Sequence, residues 1–485
     1  MTGFKAADVR KFVDHPIIDA DGHFVEMQPM LDDHLLSHLE ETGGPELRER
    51  YIKGVLKPFD TTALLATRDD PAVRETWKSM SAWWGWQAEN TKDRATCHLP
   101  KLLYERLDEM GIDFMLCYPS IVLAFLDQDD GSFAGALARG ANKWLAKIFK
   151  PYEDRIAIGG IVPMTTPEVA CAELEYAVKE LGMKTVVITG YARRMLGDKP
   201  AKGPQPYRLD TFGIDSAYDY DPFWKMCVDL GVAPVTHSAH LHHRVGRSVS
   251  NYVYNHIGCL GTAHESLAKS LFMGGVTHRF PTLKVGFLEG GVAWACDLYS
   301  GLLGHWGKRN AEAIQVLNPD NLKVAELMDY IGRYGDAETL ANLPKIEAHF
   351  RKGSKKPDQL DDFAKAHIRR AEDIRDKFVP NFYFGCEADD PLAAWAFAEK
   401  INPMGSRLRA MIGSDVAHWD VVDFLEPIEE AYEMVEHGKF TERDFRDFTY
   451  LNPIRLHAGM NPNFFKGTVV EKQVAADLAK GLENQ

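Results

Sequence analysis

Four short stretches of this 485-residue chain place ionisable side chains where apolar runs end. The first is Ile17-Ile18-Asp19-Ala20-Asp21-Gly22-His23-Phe24. Alternate side chains of an extended strand share a face, so Asp19, Asp21 and His23 are expected to point the same way. Three ionisable groups on a buried face need neutralising, and a divalent cation does that. A carboxylate and an imidazole two residues apart suit zinc, manganese or iron. Taken alone, the motif reads equally well as a turn in which the aspartates cap a helix and the histidine packs.

The second stretch, Pro234-Val235-Thr236-His237-Ser238-Ala239-His240, ends an apolar run on His237. His240, His242 and His243 follow as loop residues, one of which is in reach of a substrate. The third, Lys284-Val285-Gly286-Phe287-Leu288-Glu289-Gly290-Gly291, carries Glu289 as metal ligand, acid/base group or helix cap, with two glycines that allow close approach of a ligand. The fourth is Met411-Ile412-Gly413-Ser414-Asp415-Val416-Ala417-His418-Trp419-Asp420. Asp415 at the end of its run can bind a metal and move a proton. His418 and Asp420 are expected to support it from behind. Singly each signal is weak; together they resist an explanation by packing.

Eight apolar runs could carry these residues as strands: 17–20, 114–118, 156–162, 185–189, 233–236, 284–288, 382–385 and 409–413. Amphipathic stretches such as 102–110, 166–181 and 222–230 separate most of them. Strands alternating with helices give a parallel sheet with helices outside. Eight of them suggest a (β/α)8 TIM barrel, with a doubly wound sheet as the competing architecture. The motifs then fall at the carboxyl ends of strands one, five, six and eight, where barrel active sites lie. The expectation is one barrel domain over 1–485. It carries a long, lid-like loop insertion at 24–100 after strand 1 and a helical insertion at 301–380 between strands 6 and 7. Trp77, Trp83, Trp84 and Trp86 lie in the first insertion.

Lys plus Arg number 56 against 70 Asp plus Glu, a net charge of −14, which disfavours nucleic acid and anionic membranes as partners. The seven cysteines are scattered and form no CxxC pair. This points to a reduced, cytoplasmic protein without a disulfide framework. No secretory signal and no apolar run of about 18 residues is seen. A P-loop, a GxGxxG after the first strand and a GxSxG elbow are all missing.

Asp-Ala-Asp-Gly-His on the first strand, His237 on the fifth and Gly-Ser-Asp415 on the eighth resemble the amidohydrolase superfamily. The pattern is most similar to the amidohydrolase-related branch that holds aminocarboxymuconate semialdehyde decarboxylase and the hydroxybenzoate decarboxylases. Asn255-His256-Ile257-Gly258 and Phe280-Pro281-Thr282-Leu283-Lys284 also resemble it, and the likeness runs from about Asp14 to Phe465. The resemblance implies metal ligands Asp21, His23, His237 and Asp415, with Asp415 as proton-transfer residue. Asp21 stands where relatives have histidine or glutamate. Glu289 stands where many have a catalytic or ligating histidine, which makes the site richer in carboxylates.

The implied activity is hydrolysis or non-oxidative decarboxylation of a small organic or aromatic acid derivative. The implied cofactor is a divalent metal, zinc first and manganese or iron after it. Asp415, Glu289 and His237 are the catalytic candidates. Asp19, His240, His256 and His418 are candidates for supporting the ligands or touching substrate. Arg193, Arg194 and Arg244 are candidate partners for an anionic substrate. A dinuclear non-haem iron oxygenase, with Glu289 bridging, and a non-catalytic metal-stabilised binding protein are the alternatives. The partner is a small molecule, and paired helical arms at 301–380 suggest a homodimer.

Overall fold

The computed structural model of the chain describes residues 5–55, 71, 88–198, 205–237, 248–352 and 361–481. Eight parallel strands make one sheet: β1 (Ile18–Phe24), β2 (Phe114–Pro119), β3 (Ile156–Ile161), β4 (Thr185–Ile188), β7 (Pro234–Thr236), β8 (Val285–Phe287), β9 (Phe382–Glu387) and β10 (Arg409–Gly413). Their order in the sheet is their order in the chain. Helices connect them and cover the outer face, while the inner face packs into the barrel interior, so their residues are nearly all buried. This is the (β/α)8 barrel that the alternation of runs predicts.

The barrel closes between β10 and β1, and the closure matters for the site. The main chain crosses the seam from Asp415 N–H to Asp21 O (2.9 Å) and from His23 N–H to Val416 O (3.1 Å). Buried Asp19 stitches the same seam. Its carboxylate accepts the Ser414 hydroxyl at 2.6 Å and the Ser414 and Asp21 N–H groups at 3.0 and 3.1 Å. The β1–β2 register shifts between Asp19 and Gly22. Asp19 Oδ2 therefore lies 2.8 Å from where a Cβ on Gly22 would stand. The expected shared face of Asp19, Asp21 and His23 is broken at this shift, and Asp19 faces the β10 turn.

Capping and packing set the helices around this frame. Asp130 caps the helix Gly131–Phe149 by accepting from Ser132 and Phe133 N–H. From the same helix, buried Asn142 exchanges two hydrogen bonds with the Ile161 main chain at the end of β3. The described part of the stretch after β1 carries helices Gln28–Gly54 and Thr91–His98. Leu31, Leu35 and Leu39 give the first of these a buried stripe, and His38 and Leu35 lie close over Gly140. The four tryptophans of the insertion lie outside the described residues. Between β8 and β9 the chain forms helices Ala293–Arg309, Val324–Tyr334, Leu343–Arg351 and Ala371–Phe378.

An antiparallel hairpin, β5 (Ala192–Met195) with β6 (Tyr207–Asp210), lies outside the barrel sheet. It uses both candidate arginines. Arg194 bonds Asp210, the Thr165 carbonyl and the Tyr220 hydroxyl, and Arg193 bonds Asp129 and the Asp127 carbonyl. These intramolecular contacts fit the reading of Arg193 and Arg194 as structural surface residues, the alternative to pairing with an anionic substrate. Arg244, His240, His242 and His243 fall outside the described residues.

Candidate metal centre

At the carboxyl mouth of the barrel, one buried group of side chains gathers from distant segments. His23 comes from β1, His237 follows β7, and Asp415 and His418 follow β10. One donor atom from each lies within 4.8 Å of those of the others. His23 Nε2 is 3.4 Å from both Asp21 Oδ1 and Asp415 Oδ1. His237 Nε2 is 3.7 Å from Asp21 Oδ1 and 3.1 Å from Glu289 Oε2. His418 Nδ1 is 2.5 Å from Asp415 Oδ1, and its ring stacks on His23 at 3.7 Å. His256 Nε2 stands further out, 3.9 Å from Glu289 Oε1.

The local backbone makes this convergence possible. Glu289 (φ 57°), Asp415 (φ 49°) and Ala417 (φ 78°) adopt left-handed conformations that non-glycine residues rarely take. They turn the chain sharply as it leaves β8 and β10. The turn after β10 brings His418 back over Asp415. A Cβ on Gly413 would stand 2.8 Å from Asp21 Cβ, so only glycine lets β10 approach Asp21 this closely. His264, from the helix Cys259–Met273, donates Nε2–H to the Leu288 carbonyl at 2.7 Å and so fixes the peptide that precedes Glu289.

The electrostatics fit a cation. Asp21 Oδ1, His23 Nε2 and both ring nitrogens of His237 are buried without a hydrogen bond of normal geometry, and Asp415 Oδ1 meets the His418 ring at ion-pair distance. Buried polar atoms are normally paired, and such a set is what a metal satisfies. Burial, and then Asp19 and Glu387, hold the Asp21 carboxyl well above the usual range. Burial does the same to Glu289, helped by Asp21 and Glu387, and to Asp415, helped by Glu289 and Asp420. Burial pushes the imidazoles of His23, His237 and His418 down, and each is lowered further by a neighbouring histidine. Neutral imidazole is the form that ligates. Three histidines and an aspartate are a donor set for a divalent transition metal, with the Asp21 and Glu289 carboxylates in reach.

Residues 18–311, more than half of the chain, match the family model described as Amidohydrolase. The chain belongs to the amidohydrolase family. That membership makes it an enzyme of the amidohydrolase type. Among solved structures, this amidohydrolase is similar to one from Mycobacterium avium subsp. paratuberculosis K-10, with 17% identity over 92% of this chain and 99% of that one and a TM-score of 0.49. It is also similar to the dihydroxybenzoic acid decarboxylase of Polaromonas sp. JS666, solved with manganese and 2-nitroresorcinol (18%, 91% and 97%, 0.44). A third is the 5-carboxyvanillate decarboxylase of Sphingomonas paucimobilis (15%, 91% and 98%, 0.44).

Two cavities open beside the centre of this amidohydrolase. One, of about 220 Å³, is bordered by Ser414 and Asp415 together with Glu387, Asp389 and Asp420. The other, of about 250 Å³, is bordered by Glu289, His256, Ile257, Leu260 and the glycines 290 and 291. Glu387 borders both. An aromatic group of Tyr252, His256 and Trp419, with centroids 5.3–5.8 Å apart, stands beside them. A larger cavity of about 740 Å³ lies elsewhere, between outer helices, and is bordered by Glu265, His305 and Arg309.

Sequence reasoning passed over three residues here. Glu387 lies two residues past the apolar run read as the seventh strand and borders both cavities beside the centre. Buried Glu26 accepts from Ile121 and Val122 N–H and anchors the turn after β2; burial pushes it up to about 7. His264 sits on a helix that carries no motif. An acidic residue two positions after an apolar run was the available signal for Glu387. None of the seven cysteines forms a disulfide, and no helix among the described residues is long and apolar enough to cross a membrane.

Proposed function

We propose that this amidohydrolase is a metal-dependent hydrolase that cleaves a carbonyl-linked bond, an amide or a thioester, in a small molecule. The observation that carries the proposal is the convergence of buried donor atoms without normal hydrogen bonds from His23, His237 and Asp415 beside His418. In this reading His23, His237, Asp415 and His418 each supply one donor, and Asp21 stands by to complete the set. Zinc suits three imidazoles and a carboxylate, with manganese and iron next. A cation bound there supplies Lewis acidity, which polarises a substrate carbonyl and brings the pKa of water to about 7. Asp415 opens on the 220 Å³ cavity and takes the proton of the attacking water. Glu289 opens on the 250 Å³ cavity and hands a proton to the leaving group.

Hydrolysis is favoured over decarboxylation by the charge around the centre. A decarboxylase must admit a substrate carboxylate. Here both cavities are bordered by carboxylates, with no lysine or arginine among their described residues. Elemental analysis of the purified chain tests the metal, and a panel of amides, thioesters and aromatic acids tests the reaction. The expected result is one zinc per chain and release of a carboxylic acid that Asp415→Asn abolishes. Two irons per chain with oxygen consumption, or CO2 release without hydrolysis, would overturn the reading. The lack of disulfides among the seven cysteines supports a reducing, cytoplasmic location. Exposed Val316, Leu317 and Tyr334 support a homodimer through the 301–380 segment, which light scattering reads as a doubled mass.

A further inference from the structure

The segment leaving β1 carries an acidic residue that no step of the proposed cleavage uses. Glu26, three positions past His23, is 1% exposed. A carboxylate buried to this degree is costly unless its oxygens find partners. Among the described residues no lysine or arginine serves it, and its partners are main-chain N–H groups. Oε2 accepts from Ile121 N–H at 2.8 Å and Oε1 from Val122 N–H at 3.2 Å. The preceding amide, Ser120 N–H, donates to the Phe24 carbonyl at 3.0 Å. Three consecutive N–H groups of the turn after β2 are thus held by the residues just beyond His23. Two oxygens taking one N–H each fix the turn more firmly than a side-chain amide could, because an amide has a single acceptor oxygen.

What this grip places is Ser120. Its hydroxyl stands 3.4 Å from His23 Nδ1. Tyr118, two residues earlier and paired with His23 in the β1–β2 register, bonds the same histidine through its main chain. The opposite ring nitrogen, Nε2, faces Asp21 and Asp415 at the centre and has no hydrogen bond of normal geometry. The second side-chain torsion of a histidine is broad, so contacts at its far nitrogen decide where the ring points. Acceptors at Nδ1 keep the proton there and leave the Nε2 lone pair for an ion.

We infer that Glu26 is a positioning residue of the metal centre: by clamping the 120–122 turn it seats the Ser120 hydroxyl at His23 Nδ1, and so sets the tautomer and aim of the nitrogen that binds the ion. The inference rests on the metal centre proposed above but is independent of which bond that centre cleaves. It makes the exit of β1 and the exit of β2 one unit, in which a carboxylate remote from the ion governs a ligand that it does not touch.

The test uses the full chain loaded with zinc, or with cobalt for its visible absorption, and reads metal affinity by competition with a chromogenic chelator. Ser120→Ala removes the hydroxyl at His23, and Glu26→Gln keeps the side chain's size while removing one of its two acceptors. Each is expected to lower zinc affinity by roughly tenfold, the lower end of the usual effect of groups that orient ligands, and to shift the d–d bands of the cobalt-loaded chain. Ser120→Thr keeps a hydroxyl and is expected to restore most of the affinity. Because Glu26 acts through Ser120, the double variant is expected to lose about as much as the larger single change and not the product of the two. Cobalt bands that stay in place in Glu26→Gln, or losses that multiply in the double variant, would mark a purely structural Glu26 and overturn the inference. So would an unchanged zinc affinity in Ser120→Ala. Should Glu26→Gln not fold, Glu26→Asp, whose oxygens fall one methylene short of the turn, takes its place in the same cycle. A wild-type chain that takes up no metal is a separate failure, that of the centre itself.

Discussion

Ser414→Ala is the most direct probe of how the barrel seam serves the centre. The Ser414 hydroxyl donates at 2.6 Å to the buried Asp19 carboxylate, which burial pushes up to about 6 and which is therefore ionised at pH 8. The variant removes that donor and leaves the two N–H donors from Ser414 and Asp21. A hydrogen bond to a charged group contributes roughly 1.5–3 kcal/mol, more than a neutral one, because the abandoned carboxylate cannot regain water. Urea unfolding of the metal-free chain at pH 8 should show a loss in that range, and Ser414→Thr should restore most of it. The same tether holds the peptide preceding Asp415, so zinc affinity should fall by roughly tenfold or more, the usual penalty for disturbing groups that orient metal ligands. If stability stays within about 0.5 kcal/mol and zinc affinity is unchanged, the seam does not position Asp415 and the reasoning fails.

Three further outcomes are expected. His264→Leu removes the donor to the Leu288 carbonyl and should destabilise by about 1–3 kcal/mol while weakening zinc binding; His264→Gln should recover part of both in the same titrations. Gly413→Ala places a methyl 2.8 Å from Asp21 Cβ and should lower the urea midpoint by the equivalent of about 1–3 kcal/mol. His457 is fully enclosed, stacked on Phe464 at 4.6 Å, and burial lowers its pKa to about 3. Between about pH 6.5 and 3 the unfolded imidazole is protonated and the folded one is not, so its contribution is present above that window and is lost as pH falls through it. The loss has a limiting slope of about 1.4 kcal/mol per pH unit. The pH dependence of stability should be shallower by up to that slope in His457→Leu; equal slopes in the two proteins would contradict the assignment.

Much of this architecture is legible in the amino-acid order because buried parallel strands are written as plain apolar runs. The runs at 114–118, 156–162 and 409–413 differ from β2, β3 and β10 by at most one residue at their ends. β1 extends four residues beyond its run, since Asp21 and His23 are buried in spite of their polarity. The side chains that gather at the barrel mouth are legible to the same depth. Asp21, His23, His237, Glu289 and Asp415 were visible as charged residues closing apolar runs. His418 was visible only as a neighbour, because its approach depends on left-handed turns at Asp415 and Ala417 that no periodicity announces. The face expected for Asp19 differs for a related reason: alternation fails at the register shift between Asp19 and Gly22, which turns Asp19 to the Ser414 hydroxyl and N–H beside Asp415. Arg193 and Arg194 looked available because the β5–β6 hairpin that employs them is short and has no hydrophobic alternation.

The seam also sets a schedule for the molecule's birth. Asp19 and Ser414 are separated by 395 positions, which at roughly 5–20 residues per second is about 20–80 s of translation. Throughout that interval the nascent chain presents β1 with an open edge and a half-built set of ligands. On the proposed ligand set, Asp415 and His418 join His23 and His237 only after β10 has been made, so a chain truncated before β10 is expected to bind no zinc, which elemental analysis of the truncated chain reads.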